Sequence, residues 1–250
     1  MNVIALCELL SRDGHLITGL CIVSPFRLRR LRSLIRRRGF RAVIEAFKRM
    51  SGAGNVETED ADLIAEFRRE ENLRYRSLKS WCRDRGVPYL VVPGLNVPAA
   101  IDFLQNTEKD AVIYGGGGII RKDFLQAADH WIINAHSGPL PEIRGMNACE
   151  WSVLLNLAPA VTIHYINEGI DTGPVILRLP VTVEIGDTAK SLRTRCVIEG
   201  IRGIRSVVAS PGPIEAAALE DADRYRQCFM LAPVLREILE RKLARLEAAG

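Results

Sequence analysis

The sequence predicts an α/β fold in which a mostly parallel sheet is flanked by helices. Short apolar runs of strand length alternate with longer segments of helical periodicity along the chain. One of these runs, residues 130–133, leads into a loop that is broken by a glycine and two prolines and carries an amide, an imidazole and a hydroxyl. Ligands of open α/β sheets bind at the carboxyl ends of the strands, so this loop is the predicted functional centre.

Composition limits the class of protein. The chain has 250 residues, of which 48% are apolar and 26% are charged, as in ordinary globular proteins. Its six cysteines are scattered, without a CxxC pair or metal-ligand spacing, which predicts reduced thiols in a cytoplasmic protein and no metal site. The start lacks a basic region before its apolar run, and no apolar stretch approaches the roughly 20 residues that cross a bilayer. We therefore expect neither a secretion signal nor a membrane span.

The first elements are predicted as two strands. Residues 3–10 and 16–23 are both apolar runs of strand length, separated by a short polar turn. Parallel strands need a long crossover between them, so either these two pair antiparallel or one of the two predictions is wrong. No glycine-rich phosphate loop follows the first run, and a dinucleotide cofactor is not expected.

A basic segment follows, within a predicted helical insertion at about residues 26–75. Seven arginines lie between Arg27 and Arg38, around leucines at helical spacing. This face fits an anionic partner such as a nucleotide, tRNA, an acidic carrier or a membrane surface. The alternative is a solvated helix that packs on the acidic residues 57–62. The insertion itself fits either a wall of a substrate pocket or an oligomer contact.

The rest of the chain alternates regularly. Residues 60–85 are predicted as one helix that ends at Gly86. Strands are predicted at 87–93, 110–114, 160–166 and 175–183, and helices at 98–106, 121–128, 147–157, 188–208 and 233–249. The turn at 210–213 divides the chain into a catalytic domain, residues 1–210, and a C-terminal helical extension, residues 211–250. The apolar stripe of the last helix predicts docking on the core, with a dimer contact as the alternative.

Three polar residues are candidates for catalysis. Asn134 and His136 are two positions apart and share a face if strand geometry continues through them. An imidazole accepts a proton near neutral pH, and an amide donates to an oxyanion. Asp171, in a turn flanked by glycines, is the carboxylate that would orient the imidazole and stabilise its cation. A loop histidine capped by a neighbouring amide is the alternative.

The loop resembles a known family motif. Residues 134–145 read N-x-H-x-x-x-L-P-x-x-R-G, and D-T-G-P follows at 171–174. This pattern is similar to that of formyltransferases that use 10-formyltetrahydrofolate, which include glycinamide ribonucleotide, methionyl-tRNA and amino-sugar formyltransferases. The resemblance spans roughly residues 86–194 and implies a Rossmann-like core with Asn134, His136 and Asp171 as the catalytic residues. Ser137-Gly138-Pro139 departs from the family's usual Pro-Ser-Leu, so no role is carried over to Ser137.

The resemblance also implies a folate site. Its first part is formed by backbone and apolar side chains of Gly117, Gly118, Ile119 and Ile120, within and after a run of four glycines. Its second part is the loop that closes over the pterin ring, at Asn167, Glu168 and Gly169. By the same resemblance, His164 supports the site and takes no part in the transfer.

The implied activity is transfer of a formyl group from 10-formyltetrahydrofolate to a primary amine, without a metal. By resemblance, methionyl-tRNA formyltransferases usually carry a separate C-terminal domain after the catalytic one. Only about 40 residues follow Pro211, fewer than an ordinary domain, so the expected acceptor is an amino sugar, a nucleotide-linked sugar or another small biosynthetic amine. A tRNA partner, bound through the Arg27–Arg38 segment, is less expected, and a homodimer is open. The alternatives are formyltetrahydrofolate hydrolysis and, in another class, a non-catalytic module that binds folate or a partner.

Overall fold

Helices and strands alternate through the part of the chain that the computed structural model describes, residues 2–24, 58–116, 118–129, 131–210, 214–219 and 224–247. The helices are α1 (Val3–Arg12), α2 (Thr58–Glu70), α3 (Leu78–Arg85), α4 (Pro98–Gln105), α5 (Lys122–Ala127), α6 (Ala148–Leu154), α7 (Ala189–Ala209) and α8 (Pro233–Glu247). The strands are β1 (Leu20–Val23), β2 (Tyr89–Val92), β3 (Val112–Tyr114), β4 (Ile132–His136), β5 (Ile143–Gly145), β6 (Ala160–Tyr165), β7 (Val175–Pro180) and β8 (Arg226–Cys228).

The strands form one larger sheet and two parallel pairs. The larger sheet has the order β3-β4-β6-β7, in which β3 and β4 are parallel and the other neighbours are antiparallel. Parallel pairing also joins β1 to β2 and β5 to β8. Helices pack against these strands, α7 above all, which contacts β4, β6 and β7. The predicted α/β class with helix-flanked parallel strands is confirmed.

The predicted first strand is wrong: residues 3–10 belong to helix α1. Asn2 caps this helix by accepting a hydrogen bond from the backbone N–H of Ala5. Six consecutive residues of α1, 5–10, are buried, and a short, mostly apolar run of this kind looks the same in a helix and in a strand. The carboxylate of Glu8 is among them and accepts the backbone N–H groups of Arg74 and Tyr75 at 2.8 and 3.0 Å. The predicted second strand is shorter than expected, and β1 pairs in parallel with β2.

The single helix predicted at residues 60–85 is also wrong, because two helices lie there. Helix α2 ends near Asn72, which has a positive φ of 49°. Residues 73–77 then connect it to α3, which ends at Gly86 in the left-handed conformation, as predicted. The basic segment Arg27–Arg38 lies outside the described residues.

An arginine-lined cleft of about 1780 Å³ lies beside α1 and α2. Arg12 donates to the carbonyl of Glu71 at 2.6 Å, and Arg68 donates to the carbonyl of Tyr75. These bonds tie α1 and α2 to the connection that leads into α3. The candidate catalytic residues do not line this cleft.

The main hydrophobic core lies between the larger sheet and helices α1, α7 and α8. Two glycines let α7 approach the strands closely, since a Cβ at Gly203 would lie 2.8 Å from Leu179 and one at Gly200 would lie 3.1 Å from Ala135. Thr188 and Ser191 form a capping box at the start of α7. In the C-terminal helix, Leu239 and Leu243 are buried in the same core, so this helix docks on it.

All six cysteines are free thiols, as the sequence predicted. Within the described ranges, no helix has both the length and the apolar character that a membrane span requires.

Candidate active site

Strand β4 carries two of the candidate catalytic residues at its carboxyl end. It extends through residue 136, beyond the predicted end at Asn134, so Asn134 and His136 lie on one face of the strand as the spacing predicted. The third candidate, Asp171, reaches this face from the turn between β6 and β7. Its Oδ2 lies 3.4 Å from His136 Nδ1. The structure therefore brings all three predicted residues together.

The His136 imidazole is buried and held by the main chain. Its Nε2 lies 3.0 Å from the carbonyl oxygen of Ile143. A carbonyl oxygen only accepts, so this contact requires a proton on Nε2. In the neutral ring Nδ1 then has the free lone pair, and it is the nitrogen that faces Asp171. The carbonyl of Ile143 thus orients the ring, and the Asp171 carboxylate is close enough to stabilise a proton on Nδ1.

Asn134 is oriented by His164. The Nδ1 of His164 lies 2.8 Å from the carbonyl oxygen of Tyr165, so this nitrogen carries the proton of the neutral ring. Its Nε2 is then an acceptor and receives the amide N–H of Asn134 at 3.1 Å. Burial, with a smaller contribution from the His136 ring, lowers the pKa of His164 to about 4. His164 is therefore neutral near pH 7, and it fixes which end of the Asn134 amide faces the site.

The loop after β4 is shaped by Thr162 and by a glycine. Thr162 Oγ1 donates to the carbonyl of Gly138 at 2.7 Å and accepts the N–H of Leu140 at 3.2 Å. A Cβ at Gly138 would lie 2.5 Å from the Cβ of Ala148 and 2.9 Å from His136 Nε2. Only glycine fits between the imidazole and α6. The loop continues through a cis peptide between Leu140 and Pro141.

Asp171 is held by β5 and lies near a tyrosine. Its φ is +52°, in the left-handed region that aspartate and asparagine adopt more readily than other non-glycine residues. The N–H of Gly145 donates to its Oδ2 at 2.8 Å. Burial, and to a smaller extent the nearby charge of Asp171, raises the pKa of the Tyr114 phenol. The neutral Tyr114 hydroxyl bonds both the N–H and the carbonyl of Gly118.

The comparison with known proteins identifies the domain that contains this site. A family model described as formyl transferase matches residues 94–208, which include β4 and the Asp171 turn. Residues 94–208 form a domain of the formyltransferase family. The resemblance carried by the N-x-H and D-T-G-P motifs is thereby confirmed.

One curated relative is a methionyl-tRNA formyltransferase of Anaeromyxobacter sp. (strain K). It is 30% identical over 180 residues, which are 71% of this chain and 53% of the relative. The chain therefore spans about half the length of the methionyl-tRNA formyltransferases that it matches.

Two solved N-formyltransferases share the fold. A sugar N-formyltransferase from Shewanella sp FDAARGOS_354 is 14% identical with a TM-score of 0.51, covering 90% of this chain and 87% of its own. The N-formyltransferase from Helicobacter canadensis, solved with folinic acid and dTDP-3-aminofucose, is 14% identical with a TM-score of 0.50, covering 85% and 71%. At this identity the likeness concerns the fold alone.

The residues that the motif predicts for folate lie in two exposed loops of the formyltransferase domain. Gly118 has a positive φ of 102°, Ile119 is 70% exposed and Ile120 is buried, whereas Gly117 lies outside the described residues. Asn167, Glu168 and Gly169 are exposed. The Asn167 side chain accepts the N–H of Gly169 and the hydroxyl of Thr172, which gives this loop a fixed shape. These contacts lie within the loop itself, so folate binding by the two loops stays a prediction.

Sequence reasoning missed the groups that hold the candidate catalytic side chains. Ile143 acts through its carbonyl, and β5 is too short to be seen from periodicity. Thr162 and Tyr114 are ordinary strand residues in the sequence, and only the structure shows their contacts with the loops. Gly138 and Gly145 are visible in the motif, but their close contacts are not. Among the described residues, no three histidine, cysteine or acidic side chains cluster as metal ligands.

Proposed function

We propose that the protein is an N-formyltransferase that moves the formyl group of 10-formyltetrahydrofolate to a primary amine. One observation carries the proposal: an amide, an imidazole and a carboxylate converge at the carboxyl end of β4 within a formyltransferase domain. These are the groups that acyl transfer to an amine needs, namely an oxyanion donor, a base and a counter-ion for the protonated base.

The geometry supports a specific role for each group. As the amine attacks the formyl carbon, the Asn134 amide, held by His164, donates to the oxyanion that develops. His136 Nδ1 removes the proton from the attacking nitrogen, directly or through one water, while its Nε2–H stays on the carbonyl of Ile143. Asp171 stabilises the resulting cation from 3.4 Å. Collapse of the intermediate breaks the bond to N10 of the folate, which receives the proton.

The donor would bind between the 118–120 loop and the 167–169 loop. Glycine at position 118 lets a flat ligand approach the backbone, and Ile119 offers an exposed apolar side chain. The likeness in fold to the Helicobacter canadensis protein, which was solved with folinic acid, supports a folate donor. The six free thiols support a reducing, cytoplasmic location.

The proposed acceptor is the amine of an amino sugar, of a nucleotide-linked sugar or of another small biosynthetic molecule. Of two neighbours in fold that align over most of this chain, one is a sugar N-formyltransferase and the other was solved with dTDP-3-aminofucose. A second candidate acceptor, methionyl-tRNA, is favoured by the curated relatives, which bear that name.

Turnover of 10-formyltetrahydrofolate, followed by absorbance, tests the proposal. The assay compares no acceptor, amino sugars, nucleotide-linked amino sugars, small amines and methionyl-tRNA. We expect folate product only when one acceptor is present, and that acceptor identifies the substrate. Turnover without any amine would instead indicate a hydrolase, and folate binding without turnover on any acceptor would indicate a binding module.

His136→Ala tests the proposed general base in the same assay. Loss of a general base lowers kcat by about 10²-fold or more, whereas the matched change His15→Ala, outside the site, leaves it within about twofold. An unchanged rate in folded His136→Ala would contradict the proposed mechanism.

A further inference from the structure

Strand β5 has three residues, and each of them bonds a different part of the site. The carbonyl of Ile143 accepts from His136 Nε2 at 3.0 Å. The Nη1 of Arg144 donates to the carbonyl of Ile170 at 3.3 Å, and the N–H of Gly145 donates to Asp171 Oδ2 at 2.8 Å. We infer that β5, held in place by β8, positions His136 against Asp171, and that Arg144 is its positioning residue. This inference rests on the proposed function.

The C-terminal strand β8 fixes β5 along its whole length. The two strands pair in parallel, from Ile143 opposite Arg226 to Gly145 opposite Cys228. The next residue, Met146, donates its N–H to the carbonyl of Cys228 at 3.0 Å. The strands are so close that a Cβ at Gly145 would lie 2.2 Å from the Cys228 oxygen. A segment predicted to lie outside the catalytic domain therefore holds the backbone that carries the site.

Arg144 joins the Asp171 turn to this C-terminal segment. Its guanidinium is buried and donates through Nη1 to Ile170 and through Nη2 to the carbonyl of Tyr225 at 3.1 Å. A planar guanidinium reaches two acceptors in fixed directions, which the single ammonium of a lysine cannot do. Together with the N–H of Gly145, which donates to Asp171 Oδ2, this bond to Ile170 holds the Asp171 turn against β5. Loss of Arg144 would let the carboxylate move away from His136.

The expected effect is on the chemical step more than on folate binding. The 167–172 loop has its own bonds from Asn167 to Gly169 and Thr172, and these do not involve Arg144. Its local shape would persist while the distance between Asp171 and His136 changed. A displacement of about 1 Å in a catalytic group costs up to about 10²-fold in rate. A residue needed only for folding would instead lower the melting temperature and leave kcat of the folded fraction unchanged.

The test compares Arg144→Gln and Arg144→Lys with the matched control Arg68→Gln. Arg68 also donates to a backbone carbonyl, that of Tyr75, but it lies outside the site. We expect Arg144→Gln to lower kcat by roughly 10- to 100-fold and to change KM for the folate by less than about threefold. Arg144→Lys keeps the charge and one bond, so it should give an intermediate kcat. Arg68→Gln should keep the wild-type kcat.

A second measurement does not depend on turnover. The ¹⁵N chemical shift of His136 Nδ1 in the folded protein reports the Asp171 carboxylate that faces it. We expect this shift to change in both Arg144 variants and not in Arg68→Gln. If wild-type protein turns over no acceptor, the proposed function fails, while the chemical shift still decides whether Arg144 positions the pair. Folded Arg144 variants with wild-type kcat and an unchanged His136 shift would overturn the inference.

Discussion

At the residue scale, the site combines side chains that could be predicted from the sequence with backbone atoms that could not. Asn134, His136 and Asp171 were predicted from the chemistry of their side chains and from the motif around them. His164 was predicted as a support, and the structure gives that support a physical form, an unprotonated Nε2 that accepts from Asn134. The carbonyl of Ile143 was not predicted, since every residue type offers the same acceptor.

The protonation of His164 predicts how stability depends on pH. Its pKa is lowered from 6.5 to about 4 in the folded protein, chiefly by burial. Between these values the unfolded chain binds a proton that the folded chain does not, so stability falls as the pH falls from 6.5 towards 4. The free energy of unfolding then falls by at most roughly 1.4 kcal/mol per pH unit.

Urea denaturation at several pH values measures this loss. We expect the free energy of unfolding to fall less steeply over this pH range in His164→Gln, which has no titrating group at this position. Parallel pH profiles for the two proteins would show that His164 does not titrate as the structure implies.

At the element scale, the predictions succeeded where a local signal marks a boundary. Gly86 ends α3, and the helix predicted to begin at residue 188 begins at Ala189 after its cap Thr188, because these residues act on the backbone next to them. The predictions failed where tertiary contacts decide. The apolar run of α1 fits either a strand or a helix, and β5 and β8, of three residues each, exist only because they pair with one another.

The capping box of α7 gives an element-scale prediction. Thr188 accepts the N–H of Ser191 at 3.1 Å, so Thr188→Ala should lower the free energy of unfolding by about 1 kcal/mol. The denaturant slope should not change. Ser206→Ala, at an exposed position in the same helix, is the matched control and should have an effect below about 0.5 kcal/mol. Equal effects of the two changes would refute the cap.

At the scale of the whole molecule, the C-terminal helix and the catalytic domain share one core. Leu239 and Leu243 are buried together with residues of α1 and α7. Lys242 of the same helix donates to backbone carbonyls of Val153 and Leu154, at the end of α6. The motif resemblance ended near residue 194, so the part of the fold beyond it had to be inferred from helical periodicity, which predicts an apolar face but not its partner.

This shared core predicts cooperative unfolding. Leu239→Ala should destabilise the protein by roughly 2–5 kcal/mol, because it leaves a cavity at a fully buried position. Calorimetry should give a single transition at a lower melting temperature. Val234→Ala, in the same helix but 60% exposed, should change little. Two separate transitions, with only one shifted by Leu239→Ala, would mean that the helix unfolds independently of the domain.

The contact between His136 and the Ile143 carbonyl has a consequence for mutagenesis. An alanine scan removes side chains and leaves every carbonyl in place, so Ile143→Ala would keep the hydrogen bond that orients the imidazole. Replacing the peptide bond after Ile143 by an ester, through chemical synthesis, weakens that carbonyl as an acceptor and changes no side chain. The carbonyl that orients His136 can therefore be tested by a change in the backbone and not by a side-chain substitution.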